Sequence, residues 1–312
     1  LIHTTANAYI GGVLALNGDI HFIPYSARVG QKVSRFGVVS TYSLLYTTSG
    51  GYNGGVLDSE GNIHFIPRSA SIGHKINPSE IASTYSLIYT TTNAYCGGVL
   101  NHNGDIHFVP MTAPVGQKVS KSGTVSTYSL VYTGNLTYVG GCLAPDGSIH
   151  FSPYRAEVGQ KISPSGVVST YSLIYTKTNA YDGAVLASNG DIHFVPNSAE
   201  VGQKISSSGV VSTYSLVYTL DSHHIGGCLG PDGSIHFTPV NGGIGQRVSS
   251  SGVVSTYSLV YTLTWLTMGS ILDSNGDIHF IPYGSAVGQK IIIPSGKPFD
   301  QTIALSPYLN KF

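Results

Sequence analysis

Apolar and polar positions along the chain fall into short alternating or clustered stretches, and no stretch carries the three-to-four spacing of a helix face. The segment "STYSLLYT" (Ser40–Thr47) alternates and is rich in Thr, Tyr and Leu, as a strand with one covered face would be. Two others, "GGVLAL" (Gly11–Leu16) and "DIHFIP" (Asp19–Pro24), are nearly continuous in apolar residues, the pattern of strands covered on both faces. Between them stands Asn17-Gly18, which predicts a two-residue type I′ hairpin turn. A fourth run, "GQKVS" (Gly30–Ser34), leads into Ser/Pro/Gly-rich turns, of which "SPSG" is one version.

This unit recurs without drift. "IHF" returns with His21, His64, His107, His150, His193, His236 and His279, each 43 residues after the last. Four antiparallel strands in each of seven repeats predict an all-β, seven-bladed β-propeller with four-stranded antiparallel blades, forming a single domain over residues 1–312. A β-solenoid would need parallel neighbours, which the hairpin turns forbid. The expected blade order puts "STYSLVYT" innermost, then "GGVL" and "IHFIP", with "GQKV" at the outer edge. Only six full copies of "STYS" are present, so the first blade is expected to be closed by a terminal strand near residues 298–306, or by residues 1–4.

The frame from Gly140 to Pro153, "GGCLAPDGSIHFSP", resembles a class of highly repetitive propellers with a GGVLAP-N/D-G-x-I-Y-F-I-P blade signature. His replaces the usual Tyr, and the Trp-Asp pair of WD-repeat blades is missing, so that family's hydrogen-bonded tetrad is not expected. The resemblance implies a fold and not a function.

Charge narrows the partners. Across 312 residues there are 15 Lys+Arg and 15 Asp+Glu, which leaves no broad basic surface for nucleic acid. No apolar run reaches the roughly 18 residues of a membrane-spanning helix, so no membrane insertion is expected. Cys96, Cys142 and Cys228 are too far apart for a close-spaced metal motif; Cys142 and Cys228 occupy slots held elsewhere by Val and read as small core residues.

The seven repeated histidines invite a chemical reading, but equivalent positions on neighbouring blades should be at least about 10 Å apart and cannot share a metal. They are expected to be buried imidazoles held by a Ser, Thr or Tyr hydroxyl, and neither metal nor cofactor is expected. The cations at Lys32, Lys75, Lys118, Lys161, Lys204, Arg247 and Lys290 are expected to protect an outer edge strand from pairing. Substitutions concentrate in the connections that emerge on one face of the disc, which carries Tyr25, Arg68, Met111, Tyr154, Arg155, His223, His224, Trp265 and Met268. Those residues are the candidate binding surface. Because no acid–base constellation breaks the repetition, the chain is expected not to be an enzyme but a multivalent recognition module for a carbohydrate or protein surface ligand. The alternative is a structural or surface-display protein assembled into a larger particle. An extracellular or particle-surface location is favoured, and Asn135-Leu136-Thr137 in a variable connection forms a sequon consistent with secretion.

Overall fold

The computed structural model describes residues 1–241, 243–260, 265 and 267–293. These form a seven-bladed β-propeller with no helix among them. Six blades are four-stranded meanders and the seventh has three strands among the described residues.

In the first blade the strands are Tyr9–Leu14, Ile20–Pro24, Val29–Val33 and Val39–Ser43, paired in that order. The expected order is corrected by one step. Strands of the Tyr9–Leu14 type touch their counterparts all the way round the ring, including Tyr9–Leu14 against Thr267–Leu272, so "GGVL" is innermost. "VSTYS" is the outer strand, which explains its alternating, half-exposed pattern against the full burial of Ile20–Pro24. The permutation gives the first blade four strands without any terminal segment. Residues 298–306 lie outside the described residues. Residues 1–4 form no strand, but Ile2 and His3 donate their N–H groups to Gln31 Oε1 at 2.9 and 2.8 Å.

The hairpin turn also differs from expectation. Gly18 has φ +85° while Asn17 is not left-handed, and the Gly18 N–H bonds to Ala15 O at 2.9 Å. This is a type I turn followed by a left-handed glycine, the three-residue hairpin with a bulge, rather than type I′.

At the centre, Gly97 has φ +79°, and a Cβ there would stand 3.1 Å from Gly140 Cα of the next blade. Only glycine meets both conditions, and the first glycine of the "GG" frame, present and left-handed in all seven blades, lets the inner strands converge. In the third strand Gly116 lies directly beneath the Tyr128 ring, and a Cβ would overlap it. That close fit lets Tyr128 lie over its neighbour and present its hydroxyl to His107 Nδ1 at 3.3 Å. The same His–Tyr pair occurs in the first six blades, from 3.1 to 3.5 Å.

Blades are held to one another by a buried amide. Gln117 Oε1 accepts from the backbone N–H of Ile88 and Tyr89, at 3.0 and 2.8 Å, as the chain leaves the preceding blade. Gln160, Gln203 and Gln246 do the same. Tyr and Phe of successive inner and second strands, such as Tyr95 and Phe108 with ring centres 5.5 Å apart, fill the space between blades.

The repeated cations do not guard an edge. They sit on the third strand, where Lys118 pairs with Asp105 and Lys290 with Asp277, each at 2.6 Å. The edge-protection expectation fails because the outer position belongs to "VSTYS".

Candidate functional site

Inner and second strands open and close on the same face, so two positions of every repeat gather there. The second residue of each inner strand gives a ring of Ile10, Asn53, Cys96, Val139, Asp182, Ile225 and Met268. The residue after each "IHFxP" gives a ring of Tyr25, Arg68, Met111, Tyr154, Asn197, Val240 and Tyr283. Asp182 and Arg68 are the only charged members of the two rings.

These two ionic side chains are electrostatic neighbours across the middle of the face. Burial lifts the Asp182 carboxyl to about 7, with Arg68 opposing the shift. Arg68 is held in place: its Nη1 donates to Tyr25 Oη at 2.6 Å and its Nε to Asn93 Oδ1 at 2.8 Å. The guanidinium also lies 5.4 Å from the Tyr25 ring centre, and Tyr283 meets that ring edge-on at 5.8 Å. Beside this polar half is an apolar one, in which Met111, Cys96 and Val139 pack with Leu136 and Tyr154. Burial pushes the Tyr154 hydroxyl up to about 12, with Asp182 adding to the shift and Arg155 and Arg68 opposing it.

The nine candidate face residues therefore divide. Tyr25, Arg68 and Tyr154 converge on the centre. Arg155 is exposed and bonds Asn179 Oδ1 through Nε at 2.9 Å. Met111 and Met268 belong to the rings but are buried in the floor. His223 and His224 are corrected, being buried rather than presented. His224 takes the slot of the inter-blade tyrosines and packs on Phe237 at 5.6 Å, while His223 packs on Tyr218 at 4.6 Å. Burial lowers the pKa of His224 to about 3. Trp265 is 47% exposed at φ +54° and donates its backbone N–H to Asn241 Oδ1 at 3.1 Å.

Asp182 and Tyr283 escaped the sequence reading. The signal was available: Asp182 is the one carboxylate at its repeat position, but it lies inside a strand and not in a loop. Among the described residues no group of three His, Cys, Asp or Glu side chains is placed to hold a metal ion.

No family model matches the chain, and no curated protein matches it in sequence. Among solved structures it is similar to virginiamycin B lyase from Staphylococcus aureus, with a TM-score of 0.80 at 18% identity over 92% of this chain and 96% of that one. The inactive form of that lyase with quinupristin gives a TM-score of 0.82 at 18% identity, over 94% and 97% of the two chains. An extracellular domain of a one-component system from B. thetaiotaomicron matches at 0.66 with 10% identity, covering 89% of this chain and 37% of that one. These likenesses carry the fold. They also overturn the exclusion of enzymes, because that exclusion rested on the repetitive architecture, and an enzyme stands among the proteins sharing it. The premise of an unbroken polar repetition fails as well, since Arg68 and Asp182 have no counterparts in the other blades.

Proposed function

We propose that the chain recognises a small polar ligand, of carbohydrate type, over the centre of the loop-bearing face. The observation that carries this reading is the singular presence of one cation, Arg68, and one carboxyl, Asp182, within electrostatic reach of each other among tyrosines inside an otherwise sevenfold frame. Tyr25, Tyr283 and Tyr154 offer amphipathic rings for a sugar face, while the Arg68 guanidinium offers donors and the Asp182 carboxyl an acceptor for its hydroxyls. This is one composite site, with no avidity from equivalent copies. The test is a glycan array followed by calorimetry on the best glycan, with Arg68→Ala and Asp182→Asn as variants. A loss of tenfold or more in affinity at unchanged melting temperature is expected from each. Wild-type affinity in both variants would defeat the assignment.

Asp182 also favours a second reading, in which the bound ligand is turned over, because a carboxyl near pKa 7 suits proton transfer at neutral pH. Screening for consumption of the bound glycan and measuring the pH–rate profile of Asp182→Asn distinguishes turnover from recognition alone. Assembly through protein contacts draws its support from the rim, where Leu45, Ile88, Val131, Ile174 and Val217 stand exposed at one repeat position. Light scattering of the purified chain tests it.

A further inference from the structure

On the opposite face, between blades four and five, the repeat loses two side chains at once. Asp58, Asn101 and Asp273 occupy one position in blades two, three and seven, and there each meets the Nε2 atom of its blade's histidine, at 3.1, 3.4 and 2.9 Å. In blade four that position is Ala144, so His150 keeps its Tyr171 partner on Nδ1 while Nε2 has no protein partner among the described residues. The second loss is the carboxylate that pairs with Lys32, Lys118, Lys204 and Lys290. Blade four has Ser148 in its place, and Lys161 makes no ion pair among the described residues.

What remains is a cavity of about 70 Å³ lined by Ala144, Asp146, His150, Lys161 and Tyr171 of one blade and by Ile192, Ile205 and Ser207 of the next. That is room for a few water-sized groups. One ammonium and one carboxylate make its polar wall neutral overall, which disfavours a free anion. The imidazole, lowered to about 4 by burial, is uncharged at neutral pH.

We propose that this inter-blade cavity is a second binding site, which takes the vicinal diol edge of a saccharide. One hydroxyl accepts from Lys161 Nζ and donates to Asp146, the other meets His150 Nε2, and the carbons bearing them rest on Ile192 and Ile205. The site is independent of Arg68 and Asp182, which lie on the other face.

Methyl α-D-galactopyranoside and methyl α-D-glucopyranoside, which differ in the geometry of one diol, are the probes, with inorganic phosphate as the anion arm. Backbone amide NMR of Gly190, Ser207 and Gly209 reads the site directly. Saturable shifts with at least one glycoside are expected, unchanged in Arg68→Ala, and weakened at least tenfold in Ala144→Asp. That variant installs the side chain that blades two and seven already carry, so the fold accommodates it. Lys161→Gln serves as the second variant and should weaken the same shifts. Absence of saturable shifts with both glycosides, shifts produced by phosphate alone, or glycoside shifts that survive both cavity variants would each overturn the proposal.

Discussion

The seams between blades and the centre of the loop-bearing face are made by the same repeat, yet it uses them in opposite ways. At the seams one residue type recurs with one action, since Gln117, Gln160, Gln203 and Gln246 each hold two N–H groups of the preceding blade and His74 alone among the equivalent positions departs from glutamine. At the centre equivalent positions differ from blade to blade, running from Val139 to Asp182 and from Val240 to Arg68. Closure of a ring needs every seam to hold, which rewards sameness. Recognition of an asymmetric ligand needs donors and acceptors in different directions, which a sevenfold copy cannot provide.

The seam side of that comparison breaks with the largest effect. Gln117→Leu nearly keeps the volume but removes the buried amide that holds the part-buried N–H groups of Ile88 and Tyr89, so we expect a loss of about 1–3 kcal/mol in chemical unfolding. Blade two carries a milder version of the same change. There His74 accepts only from Leu45 N, at 3.3 Å, and its buried Nδ1 has no partner. His74→Gln should restore the second bond and add roughly 1 kcal/mol. If both substitutions left the unfolding midpoint unchanged, the amide would not be what holds the seams.

The histidines come next. His107→Phe strands the Tyr128 hydroxyl and should lower stability by roughly 1–3 kcal/mol. The sign of the pH dependence follows from burial. His21, His107, His150, His193 and His236 are all lowered to about 4 from 6.5. The unfolded chain therefore binds more protons between those values, and stability falls as pH drops from about 6.5 towards 4. Asp182 opposes this, since its raised carboxyl takes up a proton more readily in the folded chain and so adds stability as pH falls from 7 towards 3.8. The slope of unfolding free energy against pH near 5 should correspond to several protons taken up, and to about one fewer in His107→Phe. A flat profile would mean that the imidazoles are not buried in their neutral form.

Blade number and blade order differ in how far the sequence could carry them. Period and turn spacing carried the number because a 43-residue repeat with hairpin turns has few closed solutions. Blade order was not legible, since a cyclic repeat can be cut at any strand, and the burial that places "GGVL" at the centre arises only when the ring closes. Of the candidate site, Arg68, Tyr25 and Tyr154 could be found as departures from the repeat in exposed connections. Asp182 was hidden because a single carboxylate within an apolar strand has no local signature, and His223 and His224 misled because His224 opens the inner strand, at the position of the inter-blade tyrosines, and His223 beside it turns inward as well.

Trp265 gives the smallest expected change in stability and the sharpest test of the central face. Its backbone position is left-handed in every described copy: Asn7, Asn93 and Asn179 stand there at φ +59°, Gly50 at +66°, Leu136 at +57° and Ser222 at +56°. Asn and Gly suit that conformation, whereas a bulky side chain is strained in it. Trp265 therefore carries backbone strain while leaving 47% of its surface exposed, neither of which helps the ring to fold. Trp265→Asn should be neutral or stabilising by about 0.5 kcal/mol. If the aromatic side chain contributes to the loop-bearing face, the same variant should weaken glycan binding several-fold, as loss of an exposed aromatic anchor does. A drop in stability of about 1 kcal/mol or more with binding intact would instead make the indole a packing element, and would confine recognition to the Arg68–Asp182 centre.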